Sequence, residues 1–353
     1  MVPAAGGIAD LKNAARREET LREDDVQSRA IHLAFVLLSL MLGAAGPARA
    51  QETDYPAAGR YITAICMFAP GSGADIFVRF YAKKLQDVAG QTVVVENKPG
   101  MQGNMATEYV AKSKPDGYTI FIAPASSILV AGPFLYKKLN YDPIKDFTSV
   151  TTLAKLPFVL VVPPDVGINS VPDLIARLKQ KPNNGFYGDG STVGQIAAEL
   201  FKAQFGINTT EVKYKVGLDG INDLMAHNLD FMFMDPVSIK EMVANGRLKA
   251  LVITAAQPLA ALPGLPGAAD VGIKNMDLIS WWSVHVPAKT PQPVVSKLTT
   301  WFNQIAASDD ARKFLSNLGA DPLLGSAQLV DDMIAKETAE WREYVKIAKI
   351  EPQ

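Results

Sequence analysis

Phe68-Ala69-Pro70-Gly71-Ser72-Gly73-Ala74-Asp75 joins an apolar run, Tyr61 to Phe68, to a helical pattern, Ile76 to Val88. Pro70 lacks an N–H and stops a strand ladder, and Gly71 and Gly73 permit backbone angles and close approaches that a side chain forbids. The spacing predicts a strand, a tight turn and a helix capped by Asp75. Several backbone N–H groups at such a turn have no partner within the helix and lie at the positive end of its dipole, a setting that suits a carboxylate or phosphate. An ordinary βα loop fits the same residues, so the remainder of the chain has to decide.

Outward from this turn, short apolar runs alternate with amphipathic segments, the pattern of sheets covered by helices on both faces. Strands are predicted at Thr92–Glu96, Tyr118–Ala123, Thr148–Leu153, Phe158–Val162, Val212–Lys215, Phe231–Met234, Ala250–Thr254 and Ser280–Val286, with another ending at Tyr187. Helices are predicted at Met105–Lys112, Val171–Gln180 with Ser170 as its cap, Gln195–Phe205, Gly220–Ala226, Ser238–Ala244, Pro293–Ala306, Asp309–Leu318 and Ser326–Ala348. Two α/β halves follow: residues 51–156 with 283–353, and residues 157–282.

Three further stretches sit where an open α/β sheet holds ligands, beyond the carboxyl ends of strands. Ala125, Ser126 and Ser127 follow one strand, and their hydroxyls are either helix caps or ligand donors. Gly188-Asp189-Gly190-Ser191-Thr192 opens a helix and offers N–H and hydroxyl donors. Asp235 follows Phe231–Met234 and serves as an N-cap, a ligand contact, or both.

The 353 residues carry a formal net charge of -1, which gives no basic footprint for nucleic acid. Cys66 is the only cysteine, so no intrachain disulfide is possible, and it reads as a buried strand residue. The histidines, His32, His227 and His285, have no cysteine or acidic cluster at ligand spacing. No metal site, no cofactor and no catalytic triad is expected. The apolar stretch Ala30–Ala45, with Arg29 before it and Ala48-Arg49-Ala50 after it, reads as a signal peptide cleaved after Ala50. The polar residues upstream read as a mistranslated leader with Val26 as the true start.

In order along the chain stand Phe68–Asp75, Val94-Val95-Glu96-Asn97-Lys98-Pro99-Gly100, Lys114-Pro115-Asp116-Gly117-Tyr118-Thr119, Leu135–Leu139, Tyr141-Asp142-Pro143, Ala198–Lys202, Gly246–Leu251 and Pro287–Pro291. Together these resemble the Bug-type solute-binding receptors of tripartite tricarboxylate transporters, from about Tyr61 to Ile350. The resemblance implies a type II periplasmic-binding-protein fold, with two α/β domains closing on a small carboxylate. It implies ligand contacts from Ala69, Pro70, Gly71, Ser72, Gly73 and Asp75 and from Ala125, Ser126 and Ser127. The opposite domain would add Gly190, Ser191, Thr192, Tyr214 and Asp235. Also implied are a periplasmic, monomeric, non-catalytic protein and integral-membrane permease subunits as partners. Two departures face the expected cleft: Gln195 stands where the family often has histidine, and Ser72 lies between two glycines where Gly-Gly is common. Lys213 replaces a usual proline and is expected at the solvent side.

Overall fold

The computed structural model describes residues 55–189, 191–214 and 217–352. The expected leader and cleavage site lie outside these residues, as does Gly190. The first sheet has six strands in the order β11-β4-β10-β3-β1-β2. They are β1 (Ile62–Cys66), β2 (Val93–Asn97), β3 (Thr119–Pro124), β4 (Phe147–Pro157), β10 (Ile279–Pro287) and β11 (Asp321–Pro322). β1 runs parallel to β2 and β3, and β10 lies antiparallel between β3 and β4. The second sheet has five, in the order β7-β6-β8-β5-β9: β5 (Val159–Val162), β6 (Phe186–Asp189), β7 (Thr210–Lys213), β8 (Phe231–Met234) and β9 (Lys249–Ile253). This is the mixed α/β architecture of type II periplasmic binding proteins.

The helices that matter for the site are α1 (Gly73–Ala89), α2 (Asn104–Ala111), α3 (Val171–Gln180), α4 (Thr192–Phe205), α5 (Gly217–Met225), α6 (Pro236–Ala244), α7 (Gln292–Ala306), α8 (Asp309–Asn317) and α9 (Ala327–Ile347). Several start with a side-chain cap. Ser170, Ser191, Asp235, Ser308 and Ser326 each accept the N–H three residues on, as a cap does. None of the described helices is long and apolar enough to cross a membrane.

The chain leaves the first sheet at Pro157-Phe158 and returns at Leu278-Ile279. Thr254 pins both crossings. Its hydroxyl accepts the Phe158 N–H at 2.8 Å and donates to the Leu278 carbonyl at 2.5 Å, and it is fully buried. Removing that hydroxyl would orphan a buried donor and a buried acceptor, which costs more than the net value of the bonds.

Alternation along β10 turns adjacent tryptophans to opposite faces of the first sheet. Trp282 joins the core of Phe77, Tyr81 and Phe302, and Trp281 joins that of Phe121, Leu129 and Trp341. Cys66 is fully buried in β1, as its sequence context predicts. The segment Gln257–Ala269 packs Leu259, Leu262 and Leu265 against the core of the second lobe.

Candidate functional site

A cavity of about 1130 Å³ lies between the lobes. Its first jaw is the turn that opens α1. Gly71 adopts a φ of 80°, which a side chain would resist, and so swings Ser72 into the cap position. Ser72, not Asp75, is the N-cap, and its hydroxyl accepts the Asp75 N–H at 3.2 Å. The Asp75 carboxylate turns inward and is 1% exposed. It accepts the Gly71 N–H at 2.8 Å, Arg79 Nε at 2.8 Å and Asn97 Nδ2 at 2.7 Å. Burial alone would raise its pKa, but Arg79, Asn97 and the Gly71 amide outweigh burial and hold it below the ordinary carboxylate range. Asp75 is therefore the brace of the turn and does not reach the cavity.

Of the first jaw, Ser72, Gly73 and Ala74 line the cavity, whereas Ala69, Pro70 and Gly71 are exposed and outside its lining. The turn presents its helix end to the cleft and its loop to solvent. Ala125 and Ser126 are also buried away from it. No side chain caps the helical turns that follow β3. Ser126 Oγ instead accepts the Trp281 N–H at 3.3 Å, and Ser127 alone of the three faces the cavity.

The second jaw is the start of α4. Ser191 caps it, accepting the Gly194 N–H at 3.1 Å, and Ser191, Thr192 and Val193 line the cavity. A Cβ on Gly194 would sit 2.5 Å from the Phe233 carbonyl, so this glycine lets the helix end settle on β8. Beside it, Asp235 caps α6 through the Ser238 N–H at 2.9 Å and the Ser238 hydroxyl at 2.7 Å, and also lines the cavity. Three helix N-termini, one from the first lobe and two from the second, thus meet one space. N-terminal amides and dipoles of this kind favour an anionic group.

Tyr214 lines the cavity, but its hydroxyl donates to Asp223 at 2.6 Å. Burial, then Asp223, push its phenol up to about 12. Gln195, at the family's histidine position, donates to Glu211 at 2.6 Å, and both line the cavity. Lys213 is 68% exposed at the rim, 3.9 Å from Glu211. Sequence reasoning missed the aromatic wall. Trp282 lies between Phe68, with ring centroids 5.8 Å apart, and Phe77, at 4.3 Å. No local signal marks these three rings as neighbours, since two belong to the first turn and helix and the third to a strand some 200 residues later. Among the described residues, no group of three or more histidine, cysteine, aspartate or glutamate side chains is placed to hold a metal ion.

A family described as the tripartite tricarboxylate transporter family receptor matches residues 77–350. The chain belongs to this family. Among its relatives is BugT of Bordetella pertussis, 28% identical over 313 residues, which cover 88% of this chain and 95% of BugT. A solved R. palustris protein with adipate shares 32% identity at a TM-score of 0.76, covering 85% of this chain and all of that one. The periplasmic binding protein BugD shares 25% identity at a TM-score of 0.72, covering 84% of this chain and 99% of BugD. The chain is thus a receptor of the Bug type, as its ordered sequence motifs imply.

Proposed function

We propose that this receptor is a periplasmic solute-binding protein that captures a small carboxylic acid between its lobes and presents the closed form to membrane permease subunits. The observation that carries the reading is the convergence of the Ser72-capped and Ser191-capped helix ends, from opposite lobes, on one cavity. A carboxylate there exchanges water for amide donors, and hydrogen bonds to an ionised acceptor are the stronger kind. Binding to both lobes at once favours closure, because the ligand then has greater affinity for the closed state than for the open one. The R. palustris relative solved with adipate and the periplasmic binding protein BugD support the same reading.

The protein acts as a single chain, without cofactor and without turnover. A thermal-shift screen of mono-, di- and tricarboxylic acids tests it. A true ligand raises the melting temperature with concentration, since it binds only the folded state, and is recovered unchanged. A melting temperature unmoved by every acid would overturn the reading. Cell fractionation of the native producer, with the protein expected in the periplasmic fraction, tests the location.

A further inference from the structure

We propose that the ligand carries a single carboxylate on a flat apolar body, making it an aromatic or alicyclic monocarboxylic acid rather than a di- or tricarboxylate. The inference rests on the carboxylate-binding reading and narrows it. At about 1130 Å³ the cavity admits any small organic acid, so size does not choose among them. Wall chemistry and charge do.

The first-lobe wall is apolar and largely aromatic: Phe68, Phe77, Leu156, Phe158 and Trp282 line it together. Phe68 and Trp282 are stacked at an interplanar angle of 29°, and Trp282 is 6% exposed, so packing against the core holds the wall in place. Such a surface rewards a ring that covers it and gives nothing to a charged or heavily hydrated group. A small-molecule site of this kind is an apolar container with a few placed polar groups.

The charged lining points the same way. Among the described residues, Glu199, Glu211, Asp235 and Glu351 share the cavity lining with two basic side chains, Lys213 and Lys349, and no arginine lines it. Lys202 and the Tyr187 hydroxyl both reach Glu199 at 2.6 Å, so that lysine is already engaged by a carboxylate of the protein. All three helix ends carry a side-chain cap, and at α6 that cap is itself a carboxylate, Asp235. One ligand carboxylate is served by the jaws at Ser72 and Ser191. A second or third would lose its water opposite an excess of protein carboxylates, with no guanidinium fork to receive it.

Isothermal titration of the full receptor with benzoate, cyclohexanecarboxylate, adipate and citrate tests the inference. The two ring monocarboxylates are expected to bind at least tenfold more tightly than adipate or citrate. Replacing Glu211→Gln keeps an acceptor for Gln195 and removes a charge. It should strengthen adipate binding roughly threefold to tenfold and benzoate binding by less, because adipate brings two negative charges and benzoate one. Phe68→Leu, a milder change than truncating Trp282, should weaken benzoate roughly tenfold and adipate by clearly less. Tighter binding of adipate or citrate than of either ring acid overturns the inference and leaves the carboxylate reading standing. Failure of all four acids overturns the inference, and the wider acid screen then decides the carboxylate reading.

Discussion

The indole N–H of Trp281, on the strand that returns from the second lobe, donates to Glu337 Oε1 of the closing helix at 2.7 Å. Burial pushes the Glu337 carboxyl up from its ordinary 4.5 to about 7; Trp281 and Lys336 oppose the rise, and Glu340 and Asp277 add to it. A carboxyl whose folded pKa exceeds its unfolded value holds its proton better in the folded state. Its contribution is therefore complete below about pH 4.5 and is lost as pH rises through 7. His285, fully buried and pushed down to about 3, acts in the opposite sense at lower pH, so the comparison is between wild type and Glu337→Gln at each pH. The variant keeps an acceptor for Trp281 and should be more stable than wild type by about 1–2 kcal/mol at pH 8, with the gap closing by pH 5. Urea unfolding at the two pH values measures it; equal gaps at both would remove Glu337 as the titrating group.

Thr254→Val keeps the shape of a side chain that joins both crossings but removes its hydroxyl. Leaving the Phe158 N–H and the Leu278 carbonyl without that partner should cost about 2 kcal/mol. Chemical denaturation supplies the number, and a loss below half a kcal/mol would show the crossings to be held by other contacts.

At Gly73 the two lobes touch: a Cβ there would lie 2.9 Å from Val237 Cγ1 of α6. Gly73→Ala should hold the cleft slightly open and weaken ligand binding about tenfold. Gly73→Ala with Val237→Ala should recover most of it, because the second change removes the obstructing methyl. Titration of both variants with the best acid from the screen gives the coupling.

Ser72→Ala and Ser191→Ala each remove a helix cap and should cost about 1 kcal/mol of stability. Both should also weaken ligand binding, whereas Ser170→Ala, which removes an equivalent cap on a helix outside the cavity lining, should cost stability alone. Paired melting and titration data separate these effects.

Asp75→Ala would strip the first turn of its brace, leaving the Gly71 N–H, Arg79 and Asn97 to find other acceptors. A loss of about 3 kcal/mol is expected at neutral pH. Because the folded pKa of Asp75 is depressed, the wild-type advantage persists above its ordinary 3.8 and fades as pH falls below it. Denaturation at pH 7 and pH 3 should give a larger and a smaller difference respectively.

The alternation of apolar runs with helical patterns, by itself, determined the α/β class and most elements. Phe231–Met234, Val171–Gln180 and the caps at Ser170 and Asp235 were legible because each depends on residues no more than four apart. The turn at Phe68–Asp75 was legible as an anion-friendly site but not in its roles. Ser72 and Asp75 both suit a cap, and the choice fell to Asn97, a residue on a neighbouring strand that draws the Asp75 carboxylate inward. Ser126 was legible as a polar residue after a strand, yet Trp281, 155 positions later, consumes its hydroxyl. The aromatic wall and the excess of carboxylates in the cleft likewise exist only once distant segments are packed together. Local preference decides which backbone state a segment adopts, but the direction and environment of a functional side chain are set by whichever far-off groups satisfy its hydrogen bonds and cover its apolar surface.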